Sequence, residues 1–314
     1  MLRPRSSSPW YRRLVSWVSL LVWVSLTGQA RAQCCRVNPV AGATNVGVLS
    51  QGTLRVIAFY RYGYSDTYFS GSRRTDLRTT RYSDYHFTGW IFSYGVLNRL
   101  TLDLEAGYWL SRTLVLATSP VVKLQAQGFS NGFFLLKYAL VRQRLFEVTV
   151  GSGIKFPLSG RYAEKDGVRL PASLQPSTNA TGMVGLVFVH RYVPSWGVRF
   201  FLLHRTELNG VNSWGYQWGA LSNTSLFVLK SLSPRLMGLL QLRGEVRGRD
   251  RIESQPVAAS GGYTFYVAPQ VALGALSGWV VSALLEMPVY RYYSGAQLSP
   301  KWAAGLVLTY DAHL

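Results

Sequence analysis

The stretch Leu100-Thr-Leu-Asp-Leu-Glu-Ala-Gly-Tyr108 decides the fold. Leu100, Leu102, Leu104, Ala106 and Tyr108 share one face of an extended chain; Thr101, Asp103, Glu105 and Gly107 share the other. Side chains of a strand alternate between faces, so this is a β-strand with one greasy face and one polar face. In a water-soluble sandwich the carboxylates would point to solvent. In an outer-membrane barrel the same pattern is turned inside out: the greasy face meets lipid and the carboxylates line the lumen. The flanking sequence chooses between the two.

The front of the chain carries Arg3, Arg5, Arg12 and Arg13, an apolar run from Leu14 to Leu26, and Ala30-Arg31-Ala32. This is the layout of a secretory signal with a small-residue cleavage site. Residues 1–32 therefore read as a signal peptide, with the mature chain expected to begin at Gln33. The apolar run of about 13 residues falls short of the roughly 20 that a membrane helix needs, and no later run reaches about 18. Export is expected, and a helical inner-membrane protein is not. The only cysteines, Cys34 and Cys35, are adjacent and can pair only through a strained ring. They read as part of an N-terminal tag; an atypical lipid anchor and a vicinal disulfide stay open.

The formal net charge is +19, and five arginines with no acids fall in residues 1–32, so removing that segment takes +19 down to +14. Export argues against nucleic acid as the partner of this charge. Outer-membrane lipid and lipopolysaccharide, or an anionic solute, fit better. The chain holds 10 Trp, 19 Tyr and 14 Phe with only 15% charged residues, which suits a surface solvated by lipid and bordered by aromatic girdles.

Alternation and turn residues predict twelve strands, near 53–64, 86–96, 99–110, 129–140, 145–156, 182–191, 197–206, 215–229, 234–247, 261–272, 279–291 and 301–311. Most have the length of a tilted transmembrane strand, about 9–11 residues. Their connections alternate. Long ones are expected at 65–85, 111–128, 157–181, 207–214, 248–260 and 292–300, and short ones near 97–98, 141–144, 192–196, 231–234 and 273–278. Short periplasmic turns and long extracellular loops are the mark of a closed antiparallel all-β outer-membrane barrel, with both termini periplasmic. The expected layout is a signal at 1–32, a periplasmic N-terminal segment at 33–50 and a barrel over 51–314.

Facing follows from the same alternation. Asp103, Glu105, Lys137, Glu147, Lys155, Arg243, Glu245 and Glu286 are expected inside, as a structural ion-pair network or as a selectivity lining. Trp90, Tyr108, Trp279 and Tyr310 are expected on the lipid face near strand ends, as girdle residues. The strands at 182–191 and 197–206 are apolar on both faces, which leaves their facing open. Arg73, Arg74, Arg78 and Arg81 cluster in the first long loop among tyrosines. They read as capture of an anionic ligand, as contact with lipopolysaccharide phosphates, or as a solvated loop.

Catalytic signatures are missing from the sequence. The Gly-x-Ser-x-Gly spacing occurs once, at Gly128-Phe-Ser-Asn-Gly132, but a strand-like run follows it where a nucleophile elbow needs a helix; there is no His-Glu-x-x-His, no Cys-x-x-Cys and no phosphate-cradling glycine loop. Some outer-membrane lipid hydrolases place His and Ser two positions apart on one strand. The nearest match here is His204-Arg-Thr206, with Thr in place of Ser. No enzyme activity, cofactor or metal is expected.

Cys34-Cys35, Phe59-Tyr-Arg-Tyr62, Leu102-Asp-Leu-Glu-Ala-Gly-Tyr108, Gly151-Ser-Gly-Ile-Lys-Phe-Pro157, Leu242-Arg-Gly-Glu245, Val267-Ala-Pro-Gln270 and Glu286-Met-Pro-Val-Tyr290 together resemble a group of Gram-negative outer-membrane barrels. These are the transporter-like proteins of the "MetA-pathway of phenol degradation" type, distantly similar to long-chain fatty-acid channels. The resemblance implies passive uptake of small hydrophobic or aromatic molecules, and it supplies no catalytic residues. A barrel of this kind would also meet the barrel-assembly machinery during biogenesis. The expected mechanism is capture by loops, then transit along Glu105, Glu147, Glu245, Glu286 and Arg243. A non-transporting structural or ligand-binding barrel is the second expectation, and a lipid-acting enzyme the third.

Overall fold

The computed structural model describes residues 47–274 and 278–314. The signal segment, its cleavage site, Cys34-Cys35 and all of the 33–50 segment before Gly47 lie outside the described residues.

Twelve antiparallel strands close into a barrel: β1 (Thr53–Ser65), β2 (Thr80–Leu97), β3 (Leu100–Leu116), β4 (Asn131–Arg142), β5 (Phe146–Pro157), β6 (Gly182–Val193), β7 (Val198–Asn209), β8 (Leu221–Ser231), β9 (Leu236–Arg247), β10 (Gly262–Gly274), β11 (Trp279–Ser299) and β12 (Trp302–His313). Each strand pairs with its chain neighbours, and β1 closes the circle on β12 from Thr53↔His313 to Tyr64↔Trp302. Every strand therefore has a partner on both sides, as a bilayer requires of backbone that has no water to bond.

Alternation sets the faces as expected. In β3, Thr101 and Asp103 are buried while Leu104 is exposed. In β5, Thr149 and Lys155 are buried and Ile154 is exposed; in β11, Ser282 and Glu286 are buried and Leu285, Met287 and Val289 are exposed. Exposed apolar residues thus form a belt around the outside, and the polar side chains are inside. This inverted arrangement is that of a transmembrane barrel. The undecided strands resolve too. Val184, Leu186, Phe188 and Leu203 point inward, and Met183, Val187, Leu202 and Leu208 point outward. Their facing was hidden because this part of the lumen is itself apolar.

Strand ends differ most from the sequence reading in three places. β2 begins at Thr80 and β3 continues to Leu116, so this hairpin extends well past its expected outer end; Lys123–Phe129 folds back to pair with β3. β8 starts at Leu221, not near 215. The alternating Trp214-Gly-Tyr216-Gln-Trp218 mimics a strand, but its rings pack on one another in a cap, and Tyr216–Gln217 pairs with Arg251–Ile252 instead. Residues 292–300 are not a long loop. β11 runs through Ser299 and pairs with a short strand, Thr67–Gly71, leaving only Pro300 and Lys301 before β12.

Candidate functional site: the barrel lumen

Seven of the eight expected lumen residues fall in three adjoining groups of ion pairs, together a charge network, with three more residues that the sequence reading did not single out. Lys137 Nζ lies 2.8 Å from Asp103 Oδ2. Lys155 Nζ lies 3.1 Å from Glu207 Oε2 and donates to Asn209 Oδ1 at 2.8 Å. Arg205 Nη1 reaches both oxygens of Glu105, at 2.9 and 3.0 Å, and its Nε is 3.2 Å from Glu207. Arg243 joins Glu245 at 2.6 Å and Glu286 at 3.0 Å, and Arg61 bonds Glu286 from the other side at 2.6 Å. The members are Arg61, Lys137, Lys155, Arg205 and Arg243 against Asp103, Glu105, Glu207, Glu245 and Glu286. Cations and carboxylates match one for one, so the network carries no net charge. Buried charges survive only when answered in this way. Arg243 also lies 4.1 Å above the ring of Tyr266, and Arg205 lies 4.5 Å above Phe133.

Arg205 and Glu207 were missed because they sit on β7, whose facing was undecided. The signal was present at its outer end, where Arg205, Glu207 and Asn209 repeat at period two. Arg61 was missed although it alternates with Arg55, Ile57 and Phe59 on the same face of β1.

An aromatic wall stands beside the charges. Ile57, Phe59, Phe87, Ile91, Trp109, Leu284 and Val307 pack as one buried cluster. Phe87 and Trp109 have ring centres 4.6 Å apart, and Phe59 follows at 5.8 Å from Phe87. These rings lie across glycines of the adjoining strands. A Cβ on Gly89 would stand 2.4 Å from the Phe59 ring, and one on Gly107 would stand 2.3 Å from the Phe87 ring. Only glycine permits so close an approach, and it lets the rings lie against the wall. Across the lumen, Leu186, Phe188, Leu203 and Phe227 form a second apolar patch.

Both ends of the lumen are narrowed. At the periplasmic end Val48 and Leu49 are buried. The Val48 N–H donates to Glu147 at 3.0 Å and the Leu49 N–H to Thr101 Oγ1 at 2.8 Å. Glu147, the eighth expected lumen residue, thus stands apart from the network and holds the N-terminal segment. At the outer end the 158–181 connection folds into the mouth. Its Pro176 carbonyl accepts from Trp109 Nε1 at 2.9 Å and its Gln175 carbonyl from Arg112 Nη1 at 2.7 Å; Ser177 and Thr178 both bond Asn131 Oδ1.

No family model and no curated protein matches the sequence. Solved structures do match in shape. The COG4313 outer membrane channel from Pseudomonas putida F1 superposes with a TM-score of 0.71 at 10% identity, over 88% of this chain and 100% of that one. This chain has the fold of that outer-membrane channel. A Pseudomonas aeruginosa FadL homologue aligns more loosely, with a TM-score of 0.42 at 7% identity over 82% of this chain and 90% of its own.

On the outside of this barrel, Trp279 packs on Tyr310 at 4.5 Å near the periplasmic rim, and Tyr108 meets Phe129 at 5.0 Å toward the outer rim. Trp90 lies mid-strand, opposite Ala58 and Ala106, because β2 is longer than its sequence suggested. Further tyrosines complete the outer rim: Tyr62 and Tyr64 beside Trp302, and Tyr263 stacked on Tyr292. His204 and Thr206 face lipid. His204 shares hydrogen bonds with Thr224 at 2.9 Å and Thr206 at 3.1 Å, and Thr206 bonds Ser222 at 3.0 Å. Of the four loop arginines, Arg74, Arg78 and Arg81 line one cavity, and Arg73 lies outside it on the same hairpin. Asp66 borders that cavity. Burial pushes its carboxyl up, but hydrogen bonds from Lys301 at 2.6 Å and Thr67 at 2.7 Å outweigh this and hold it below the usual aspartate value.

Proposed function

We propose that this barrel is a passive channel for small, uncharged aromatic or hydrophobic molecules, driven by their gradient. The observation that carries this reading is the pairing of a charge-balanced network with an aromatic wall. A pore selective for ions presents charges with a net field. Here each carboxylate of the network is answered by a cation, so Glu105, Glu245, Glu286 and Arg243 act as neutral wall. The rings of Phe59, Phe87 and Trp109, buried against Gly89 and Gly107, make the apolar part of the interior that a flat solute would meet on entering the lumen. The uncharged solute needs no counter-charge along the way, and the passage involves no chemistry.

The filled ends favour a second reading, a non-transporting barrel that binds a ligand or stabilises the envelope. One experiment separates them. Labelled toluene is given to Gram-negative cells that make the barrel, and initial uptake is compared with cells lacking it. Uptake several-fold above the control, reduced by Phe87→Leu with Trp109→Leu at equal amounts of folded barrel, supports the channel. Uptake equal to the control sinks it and leaves the non-transporting barrel.

A further inference from the structure

The first extracellular connection encloses a cavity of about 430 Å³ between the Thr67–Thr75 hairpin and the start of β2. Three guanidinium groups line it, those of Arg74, Arg78 and Arg81. None of the three makes an ion pair or hydrogen bond among the described residues. That sets them apart from the lumen, where every cation of the network has a carboxylate. Two acids also border the cavity. Asp66 is already held by Lys301 and Thr67. Asp76 is left to offset one arginine, so the lining keeps an excess of about two positive charges. A phosphate monoester carries about −1.5 to −2 at neutral pH.

The frame of the cavity is ordered. Tyr68 is buried, and its hydroxyl bonds Thr79 Oγ1 at 2.9 Å and Thr80 Oγ1 at 2.8 Å, which ties the hairpin to the root of β2. The outer edge of β11 pairs with the same hairpin through Leu298↔Tyr68. Arg74 and Arg81 therefore project from strands, and Arg78 from the short connection between them.

Their depth identifies the source of the phosphate. Tyr64 stacks on Tyr82 at 5.9 Å and meets Trp302 at 6.5 Å, in the aromatic girdle that marks the membrane interface. Asp66 follows Tyr64 by two residues, and Lys301 bridges them, 5.8 Å from the Tyr64 ring and 2.6 Å from Asp66. The cavity thus opens one step beyond the girdle, at the level of outer-leaflet headgroups. Guanidinium groups bind phosphate through paired N–H donors.

We propose that Arg74, Arg78 and Arg81 form a site for the phosphorylated sugar headgroup of an outer-leaflet glycolipid. The site is independent of passage through the lumen. The test uses the folded mature protein at about 0.15 M salt, where loose surface attraction is screened over roughly 8 Å. Three probes are titrated: the deacylated glucosamine disaccharide bisphosphate of lipid A, its phosphatase-treated form, and inorganic phosphate. The bisphosphate binds, and the other two bind at least about tenfold more weakly, the worth of one charge-assisted hydrogen bond. Arg74→Gln, Arg78→Gln and Arg81→Gln each weaken it about tenfold by the same reckoning, while Arg73→Gln leaves it unchanged. Equal binding of inorganic phosphate overturns the headgroup assignment. Equal weakening by Arg73→Gln reduces the effect to general loop charge and overturns the site, as does an absence of binding.

Discussion

Lys137 and Asp103 show what a lumen charge does here. Both are about 2% exposed, and each is the other's ion-pair partner at 2.8 Å. Removing one partner of such a pair strands the other charge and costs about 3–5 kcal/mol, whereas replacing both with apolar residues of similar size is close to neutral. Asp103→Leu alone should therefore lower unfolding stability in bilayers by about that amount. Asp103→Leu with Lys137→Met should recover most of the loss in the same urea titration. Equal loss in the single and double variants would mean that the pair does not act as a unit. Asp103 and Lys137 were legible in the sequence because clean alternation fixed their strands. Arg205 and Glu207 were not, because apolar lumen residues such as Leu186 and Leu203 removed the contrast on which facing depends.

At the scale of elements, the long and short connections assign the two sides of the membrane. The long 158–181 connection does not hang free: Ala172, Leu174, Gln175, Ser177 and Thr178 are buried in the mouth. Its open part is the turn around Lys165-Asp166-Gly167, which is exposed. Trypsin added to intact cells should cut within 73–81 and at Arg161 or Lys165. Arg144 and Arg235, in short turns, should be cut only once the periplasm is opened. Cuts at Arg144 or Arg235 in intact cells would invert the orientation. Strand number and order were legible because each strand is long and bounded by turns. Strand ends were less so where extracellular segments keep β-forming residues without entering the membrane. Tyr290-Arg-Tyr-Tyr293 continues β11 outward, and the rings of Trp214, Tyr216 and Trp218 build a cap that reads like a strand.

For the whole molecule, greasy residues outside and paired charges inside give a barrel whose exterior is solvated by lipid and whose interior is packed like a core. The N-terminal residues Val48 and Leu49 and the 158–181 connection close on that interior from opposite ends. Between them lie the buried aromatic cluster and the charge-balanced network. The direct test is single-channel recording of the refolded barrel in a planar bilayer under a salt gradient, with neutral phenol added. The account predicts small conductance steps, a reversal potential near zero and reversible block by phenol that weakens in Phe87→Leu with Trp109→Leu. Strong preference for anions or cations, with no response to phenol, would contradict it.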